Sequence, residues 1–323
     1  GLMTAGQSLV ELTARAVTAL DRAFRELRPD LVLAQGDTTS VFASALAAHY
    51  GQIPFAHVEA GLRTGDRQHP FPEETNRILT SHLASLHFAP TESNRQALLN
   101  EGVEPGSIHV VGNTIVDALL SILDRHEPPA VPEGVRRFVL VTTHRRESFG
   151  EPLNDICRAV LKLVLAHRDL HVLFPVHPNP SVRETVSKHL AGQSHVHLLD
   201  PLPYPSFVAL LRAASLALSD SGGVQEEAPS LGTPLLVLRQ RTERPEALET
   251  GLVRLVGTST EVILEAAEAF LNDPPPKPSR LPAPNPYGDG KASERIADCL
   301  RDFLRVEGKA HAKTQRVNRK EKT

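Results

Sequence analysis

Three carboxylates in the first quarter of the chain stand where short apolar runs end or a helical pattern begins. Asp37 follows the run at 31–35, Glu59 follows the run at 54–58, and Glu73 opens a helical segment after Pro72. Taken singly, Asp37 caps the next helix together with Thr38 and Thr39, and Glu73 complements a helix dipole. If the carboxylates share one rim, repulsion and burial separate their pKa values, as general acid–base chemistry requires. A divalent cation is the alternative, although no HExxH or DxD motif accompanies them.

A second group of polar residues follows the apolar run at 138–143. His144, Arg145, Arg146 and Glu147 are four consecutive titratable or charged residues at a predicted strand tip. Such a cluster favours an anionic ligand, because cationic donors bind phosphate or carboxylate strongly. The alternative is a solvated loop whose charges pair with one another. His177, which stands beside a proline after another strand, is weak evidence when taken by itself.

A glycine-containing turn at 220–223 gives the strongest phosphate signal. The sequence Asp220-Ser221-Gly222-Gly223 lies between a predicted strand and a helix, where glycine lets the backbone approach a diphosphate. Glu227, on the same short helix, is placed to accept hydrogen bonds from ribose hydroxyls. Neither GxGxxG nor GxxxxGK[ST] occurs, which argues against NAD and ATP. The pattern therefore favours a nucleoside diphosphate attached to another group.

The elements that position these residues alternate between strand and helix. Apolar residues at steps of three and four predict a helix over 9–27, and strands and helices then alternate to about 272. This order predicts an α/β protein with two parallel, doubly wound sheets. We expect a first domain over 1–113 and a second over 114–290, with a ligand cleft between them. The Pro-rich stretch at 127–134, which follows a helical stretch at 114–126, is interpreted as the linker between the domains. A helix over 291–306 and a disordered basic tail over 307–323 complete the chain.

The composition of the chain argues against several classes of protein function. The 323 residues carry 35 Lys+Arg and 38 Asp+Glu, so no overall basic surface exists for nucleic acid or anionic lipid. No apolar run approaches the roughly 18 residues that span a bilayer, and the first residues do not resemble a secretory signal. Cys157 and Cys299 form no CxxC pair, so a disulfide framework or structural zinc site is not expected. These features predict a cytoplasmic protein without membrane insertion.

Nine ordered motifs run from the first strand to the last helix: GDTTS at 36–40, HVEAGLRTGD at 57–66, FPEETNR at 71–77, GNTIVDAL at 112–119, HRRESFG at 144–150, PVHPNP at 175–180, SDSGGVQEEAPSLG at 219–232, TERPEA at 242–247 and NPYGDG at 285–290. Together they closely resemble the motifs of the non-hydrolysing UDP-N-acetylglucosamine 2-epimerases. The resemblance implies a GT-B fold, with two Rossmann-like domains and a final helix that returns to the first. It also implies reversible conversion of UDP-N-acetylglucosamine to UDP-N-acetylmannosamine for surface polysaccharide synthesis, without a cofactor, by a homodimer.

The resemblance assigns residues to three roles. The implied catalytic set is Asp37, Glu59, Glu73 and His144. The implied UDP contacts are His177, Ser221, Gly222, Glu227 and Arg244. Bacterial members are activated by their own substrate, and Glu73, Arg145 and His177 fall at positions shared with that allosteric site.

Three other functions stay open on the sequence: a GT-B glycosyltransferase, a hydrolysing epimerase, and a UDP-sugar-binding fragment with impaired catalysis. The last arises because family members carry an earlier segment, whose first strand and loop supply Arg and Lys to the active site. The sequence printed here begins with Gly1, after that segment. We therefore expect an incomplete first domain, with an unpaired strand edge and poor solubility or activity.

Overall fold

The computed structural model describes residues 6–123, 131–145, 148–276 and 285–320, with the backbone alone for 307–320. The chain divides into two compact units. The first unit ends at Thr114 and resumes at Gly288, and the second spans Ile115–Tyr287. The sequence places these boundaries at 113 and 290. The interpretation of 127–134 as the linker between the domains is wrong, because its described residues 131–134 lie inside the second unit. Residues 127–130 of the predicted linker, and Arg146 and Glu147 of the charged cluster, lie outside the described residues.

The first unit contains a four-stranded parallel sheet in the order β1-β2-β3-β4. Leu33 lies opposite Ala56 in this sheet, and Ala56 lies opposite Leu86. The elements of this unit are α1 (Leu9–Leu27), β1 (Val32–Gln35), α2 (Thr39–Tyr50), β2 (Phe55–Val58), α3 (Glu73–Leu83), β3 (Leu86–Ala89), α4 (Glu92–Asn100), a 3₁₀ turn (Pro105–Ser107), β4 (Ile108–Val110) and α12 (Ala292–Lys320).

Local sequence explains the bounds of α1. Ser8 Oγ accepts from the backbone N–H of Glu11 at 3.2 Å, and the Glu11 carboxylate accepts from the Ser8 N–H at 2.8 Å. This reciprocal capping box fixes the start of the helix. Arg28 adopts a left-handed conformation and ends it, just before Pro29. The helix predicted over 9–27 is therefore confirmed.

Apolar packing covers the inner strands of the first sheet. Every residue of β2 and β3 is buried, and the helix α12 packs against them through Ile296, with Cys299, Leu300 and Phe303 beside it. The strand β1 differs, because within the described ranges it pairs with β2 alone and Leu33 is 48% exposed. The first sheet thus has an open edge at β1.

The second unit contains six parallel strands in the order β10-β9-β8-β5-β6-β7. The chain runs outward from β5 in one direction and then from β8 in the other, so the order reverses between these adjacent strands. Its elements are α5 (Thr114–Leu123), β5 (Arg137–Thr142), α6 (Glu151–Ala166), β6 (Leu170–Pro175), α7 (Pro180–Leu190), β7 (Val196–Leu199), α8 (Tyr204–Ala213), β8 (Leu216–Ser219), α9 (Val224–Ser230), β9 (Leu235–Val237), α10 (Pro245–Glu249), β10 (Val253–Leu255) and α11 (Thr260–Asn272).

Both faces of the second sheet are buried. Val139 and Val141 of β5 pack under α6, α7 and α11, whereas Phe138 and Leu140 pack against α5, α8 and α9. This alternation is the period-2 pattern of a strand covered on both sides. In doubly wound sheets, ligands bind beyond the carboxyl ends of the strands where the order reverses. The loops after β5 and β8 therefore form the expected ligand crevice of this unit.

Three features differ from the sequence prediction. The short elements α10 and β10 were not predicted, because a five-residue helix and a three-residue strand are too short for a periodic pattern. The last helix was predicted to end at 306, with disorder over 307–323, yet α12 continues to Lys320. Ala, Lys, Gln and Arg in this stretch favour a helix. Residues 277–284 of the predicted loop at 274–290, and 321–323, lie outside the described residues.

No helix of the described residues combines the length and apolar character needed to cross a bilayer.

Candidate active site

Asp37 is held in place by the helix α3. Its Oδ2 accepts from Arg77 Nε at 3.0 Å and from Arg77 Nη2 at 2.6 Å. Its backbone carbonyl accepts from Asn76 Nδ2 at 2.9 Å. The N-cap of α2 is Thr38, so the capping role that the sequence suggested for Asp37 alone is wrong. The side chain turns instead toward α3.

Glu59 lies beside Gly36, at the start of the loop that carries Asp37. It follows β2 with a φ of +65°, a left-handed conformation that is costly for a residue with a side chain. Its Oε2 lies 3.7 Å from the position that a Cβ on Gly36 would take. Its Oε1 accepts from Asn113 Nδ2 at 3.4 Å. The loops after β1 and β2 thus bring Asp37 and Glu59 to one edge of the first sheet.

Glu73 is the first residue of α3 and directly follows Pro72, which is the N-cap. Residues three and four apart on a helix share a face. Asn76 and Arg77, which both bind Asp37, are three and four residues after Glu73. Glu73 therefore lies on the face of α3 that is directed toward the Asp37 loop.

A buried ion pair between Glu74 and Arg77 supports the cluster of three carboxylates. This pair was not identified from the sequence. Arg77 is 2% exposed and donates from Nη1 to Glu74 Oε2 at 2.8 Å, while Glu74 is 1% exposed. Glu74 Oε1 accepts from the backbone N–H groups of Thr64 and Gly65, each at 3.0 Å. The spacing of Glu74 and Arg77 on a helix could have signalled their ion pair. Their link to Asp37 is not visible in the sequence.

His57 also supports the Asp37 loop. It is fully buried in β2, and its Nε2 lies 2.7 Å from the carbonyl oxygen of Gly36. Burial lowers the pKa of His57 to about 4, so the ring is neutral at pH 7 and donates its Nε2–H to that carbonyl. Its Nδ1 has no hydrogen-bond partner among the described residues.

Asp220 joins the two loops at the reversal point of the second sheet. It is completely buried after β8, and its carboxylate accepts from the backbone N–H groups of His144 and Arg145 at 3.0–3.1 Å. The Ser148 hydroxyl donates to the same carboxylate at 2.8 Å. In the sequence, Asp220 is recognisable only as part of the glycine-containing turn. The structure shows that it orders the loop after β5.

His144 is placed by this arrangement. Its Nδ1 lies 3.3 Å from Asp220 Oδ1, and its ring centroid is 6.4 Å from that of His177. Burial lowers the pKa of His144 below its ordinary range, and the charge of Asp220 opposes that shift. The structure thus brings together His144 and His177, which come from loops after different strands.

Arg145 carries a buried polar atom without a partner. Its Nε has no hydrogen-bond acceptor within the part of the chain that the structure describes. A buried donor normally has a partner, since an unmade hydrogen bond costs about 1–3 kcal/mol. An anionic group beside Arg145 would supply that acceptor.

Glu227 is paired with a tyrosine. The Tyr204 hydroxyl donates to Glu227 Oε1 at 2.8 Å. Burial raises the pKa of Glu227, whereas the Tyr204 hydrogen bond and the charge of Arg244 act in the opposite direction. Burial and the nearby carboxylate raise the pKa of the Tyr204 hydroxyl well above its ordinary range, so it remains a donor. Tyr204, like Glu74 and Arg77, was not identified from the sequence.

Arg244 lies in a network of buried charges at the start of α10. Its guanidinium pairs with Glu226 through Nε and with Glu243 through Nη1. Glu243 in turn accepts from Arg239 at 2.9 Å. Gly222 lies against this network, while Ser221 directs its backbone N–H to Ser219 Oγ at 3.0 Å. The second unit therefore places Ser221, Gly222, Glu227 and Arg244 around one turn.

No group of three or more His, Cys, Asp or Glu side chains in the described ranges is arranged to hold a metal ion.

A family model described as UDP-N-acetylglucosamine 2-epimerase matches residues 2–301. A probable UDP-N-acetylglucosamine 2-epimerase of Ralstonia nicotianae is 49% identical over 314 residues, covering 94% of this chain and 84% of that protein. The UDP-N-acetylglucosamine 2-epimerase of Escherichia coli K12 is 47% identical, covering 93% of this chain and 83% of that protein.

A solved structure gives the same result. The crystal structure of a UDP-GlcNAc 2-epimerase from Neisseria meningitidis, bound to UDP-GlcNAc, is 41% identical and superposes with a TM-score of 0.86. The match covers 93% of this chain and 84% of that one. The GT-B fold class predicted from the sequence is confirmed.

Proposed function

The chain belongs to the UDP-N-acetylglucosamine 2-epimerase family, and we propose that it interconverts UDP-N-acetylglucosamine and UDP-N-acetylmannosamine without hydrolysis. The observation that carries this proposal is the cluster of three carboxylate side chains in the first unit. Asp37, Glu59 and the face of α3 that bears Glu73 lie at one edge of one sheet. A reaction that moves a proton on and off a carbon at two faces needs more than one such group.

The chemistry of the substrate explains why the reaction begins at the bond to UDP. The C2 proton of the sugar is not beside a carbonyl, so its direct removal gives no stabilised carbanion. Breaking the C1–O bond develops positive charge at C1 and makes the C2–H bond acidic. A carboxylate takes the proton, the C2–H electron pair forms the C1=C2 double bond, and UDP departs with the C1–O pair. The products are 2-acetamidoglucal and UDP.

The return reaction inverts C2. UDP adds back to C1 while a proton is delivered to the opposite face of C2. The product has the same bonds as the substrate and the inverted configuration at C2. In this proposal Asp37, Glu59 and Glu73 divide the proton transfers between the two faces. Asp37 Oδ2 is occupied by Arg77, and Oδ1 receives no hydrogen bond from the described residues. Oδ1 is therefore the oxygen we assign to the substrate.

The second unit holds UDP in this proposal. Gly222 lets the diphosphate approach the backbone, Glu227 accepts from the ribose hydroxyls, and His144, His177, Ser221 and Arg244 surround the departing group. Donors preorganised around developing charge stabilise a leaving group. The unpartnered Nε of Arg145 supports an anion in the same loop. Glu73, Arg145 and His177 are also our candidates for an activating second substrate site.

Two broader assignments come with this proposal. The family resemblance supports a homodimer, which light scattering of the purified protein measures. Cys157 and Cys299 are both free thiols, in keeping with a cytoplasmic location.

The experiment that tests the proposed reaction follows C2 of UDP-N-acetylglucosamine by NMR in deuterium oxide. We expect UDP-N-acetylmannosamine to form without added NAD or metal, with solvent deuterium at C2. Epimer that forms without deuterium contradicts proton abstraction, and loss of turnover with EDTA supports the metal alternative. Free UDP without epimer indicates a glycosyltransferase, free N-acetylmannosamine a hydrolysing epimerase, and UDP binding without turnover a binding protein.

Substitutions separate the two halves of the site. Asp37→Asn, Glu59→Gln and Glu73→Gln should each reduce turnover far more than UDP affinity. Ser221→Ala and Glu227→Ala should mainly weaken UDP binding, by about tenfold to a hundredfold, because a hydrogen bond to a charged group contributes roughly 1.5–3 kcal/mol. Calorimetry that finds unchanged UDP affinity in Glu227→Ala contradicts the ribose assignment.

A further inference from the structure

The Glu74–Arg77 pair connects the two loops that carry Asp37 and Glu59. One oxygen of Glu74 accepts from the backbone of Thr64 and Gly65, in the segment that follows Glu59. The other accepts from Arg77, which reaches the loop after β1 through Asp37. Glu74 is thus bonded to the loop after β2 directly and to the loop after β1 through one intermediate.

Arg77 is a rigid connector in this arrangement. Its guanidinium is planar, and its donors point in fixed directions. Nη1 is bound to Glu74, while Nε and Nη2 are both bound to Oδ2 of Asp37. Because Glu74 holds one side of the guanidinium and Asp37 the other, the plane of the guanidinium is fixed. The orientation of the Asp37 carboxylate follows from that plane. Removal of Glu74 would take away the carboxylate that holds Nη1 and, with it, part of what fixes that plane.

The environment of the pair makes its geometry demanding. Glu74 and Arg77 are 1% and 2% exposed, whereas the Asp37 side chain is 26% exposed. Two charges removed from water are stable only when each is closely paired and hydrogen-bonded. Glu74 meets this condition with two backbone donors and one guanidinium. The buried pair therefore forms a fixed base beneath the Asp37 carboxylate, which has access to solvent.

We propose that Glu74 is a positioning residue for the epimerisation, fixing the Asp37 carboxylate through Arg77 and its spacing from the Glu59 loop through Thr64 and Gly65. This inference rests on the proposed function, because it assumes that Asp37 acts on the substrate. Glu74 itself does not contact the substrate in this assignment.

The test compares Glu74→Gln with Glu101→Gln. Glutamine keeps an oxygen for the Thr64 and Gly65 N–H groups but offers Arg77 no charge. Glu101 is the matched control, because it pairs bidentately with Arg63 at 2.7–2.8 Å in the same unit without touching Asp37. We expect Glu74→Gln to lower kcat tenfold or more while the dissociation constant for UDP changes less than twofold. Glu101→Gln should leave kcat unchanged.

A second readout does not depend on turnover. In the wild-type protein the Arg77 Nε–H, bonded to Asp37, should give an NMR signal that exchanges slowly with solvent, and Glu74→Gln should shift it and speed its exchange. If Glu74→Gln does not fold, Arg77→Lys replaces it, since lysine keeps the charge but cannot fork, and the same loss of kcat is expected.

Three results would overturn the inference: wild-type kcat in Glu74→Gln, parallel losses of kcat and UDP affinity, or an equal loss of kcat in Glu101→Gln. An inactive wild-type protein contradicts the proposed function instead. With an inactive wild-type protein, the NMR signal of the Arg77 Nε–H still tests the positioning role. If Glu74→Gln leaves that signal unchanged, Glu74 does not position Arg77.

Discussion

The guanidinium of Arg244 occupies the space that a side chain at Gly222 would need. A Cβ built on Gly222 would lie 2.8 Å from Arg244 Nη1 and 3.1 Å from Glu243 Oε1. Glycine is thus required here because of a buried ion pair, in addition to any approach by a phosphate. The spacing of the two residues in the sequence gives no hint of this contact.

Gly222→Ala should displace Arg244 and destabilise the second unit. Forcing an extra methyl group into a packed region costs about 1–3 kcal/mol. We expect a lower melting temperature together with weaker UDP binding in calorimetry. Gly223→Ala is the matched control for stability, because its backbone is helical and the nearest atom to its Cβ is 4.0 Å away. Equal melting temperatures for the two variants would contradict the packing explanation.

Tyr204→Phe should change the pH dependence of UDP binding. Burial raises the pKa of Glu227, and the Tyr204 hydrogen bond opposes that rise. If the ionised carboxylate binds the ribose, UDP affinity falls as the pH drops through the pKa of Glu227. Losing the hydroxyl raises that pKa further, so the fall should begin at a higher pH. Calorimetric titrations between pH 5 and 8 measure the shift.

Tyr50→Phe is the control for this experiment, since Tyr50 is 70% exposed and lies in the first unit. Its affinity profile should overlay that of the wild-type protein. A Tyr204→Phe profile that also overlays it would show that the hydroxyl does not govern the ionisation of Glu227.

Gly61→Ala should prevent stable folding of the first unit, whereas Gly102→Ala should not. Both glycines have a positive φ, +88° and +82°. A Cβ on Gly61 would lie 2.2 Å from the carbonyl oxygen of Asn94, but nothing lies within 4 Å of one on Gly102. Gly102→Ala therefore costs only backbone strain, about 1–2 kcal/mol. Urea unfolding of both variants separates strain from collision, and similar midpoints would refute the close approach.

His57 should make the first unit less stable in mild acid. Its pKa is lowered by burial to about 4 in the folded protein, below an ordinary value of 6.5. Between these values the unfolded chain binds the proton and the folded chain does not, so the free energy of unfolding decreases as the pH falls. The loss is about 3 kcal/mol by pH 4, at roughly 1.4 kcal/mol per unit.

The measurement compares urea unfolding of wild-type protein and His57→Gln from pH 7 to pH 4. Glutamine can still donate to the Gly36 carbonyl but does not titrate, so its dependence on pH should be flatter. Because other histidines contribute equally to both proteins, only the difference between the two slopes is informative. Parallel slopes would show that His57 titrates normally.

Some parts of the site could be read from the sequence because they depend on local order. A strand followed by a carboxylate predicts where Asp37 and Glu59 lie, since parallel strands end at one edge of a sheet. The apolar spacing of α1 predicts its bounds for a similar reason. These inferences need only neighbouring residues and the regular geometry of helices and strands.

Other parts depend on contacts between distant segments. Arg77 binds Asp37 across 40 positions, and Asp220 orders the loop of His144 across 76. A sequence shows that these residues are charged, but not which opposite charge each one meets. The contacts of Glu74 with Arg77 and with the backbone of Thr64 and Gly65 were missed for this reason. Beside Glu73, Glu74 is simply a second acidic residue in the first turn of a helix.

The left-handed backbone of Glu59 has a consequence for protein engineering. Glycine adopts a φ of +65° without steric cost, so Glu59→Gly relieves strain at the same position where it removes the carboxylate. In the proposed reaction, where Glu59 transfers a proton, thermostability and turnover are therefore opposed at this single residue. A library selected only for heat resistance should accumulate glycine at position 59 and lose epimerase activity, whereas a library selected for activity should retain glutamate despite the strain.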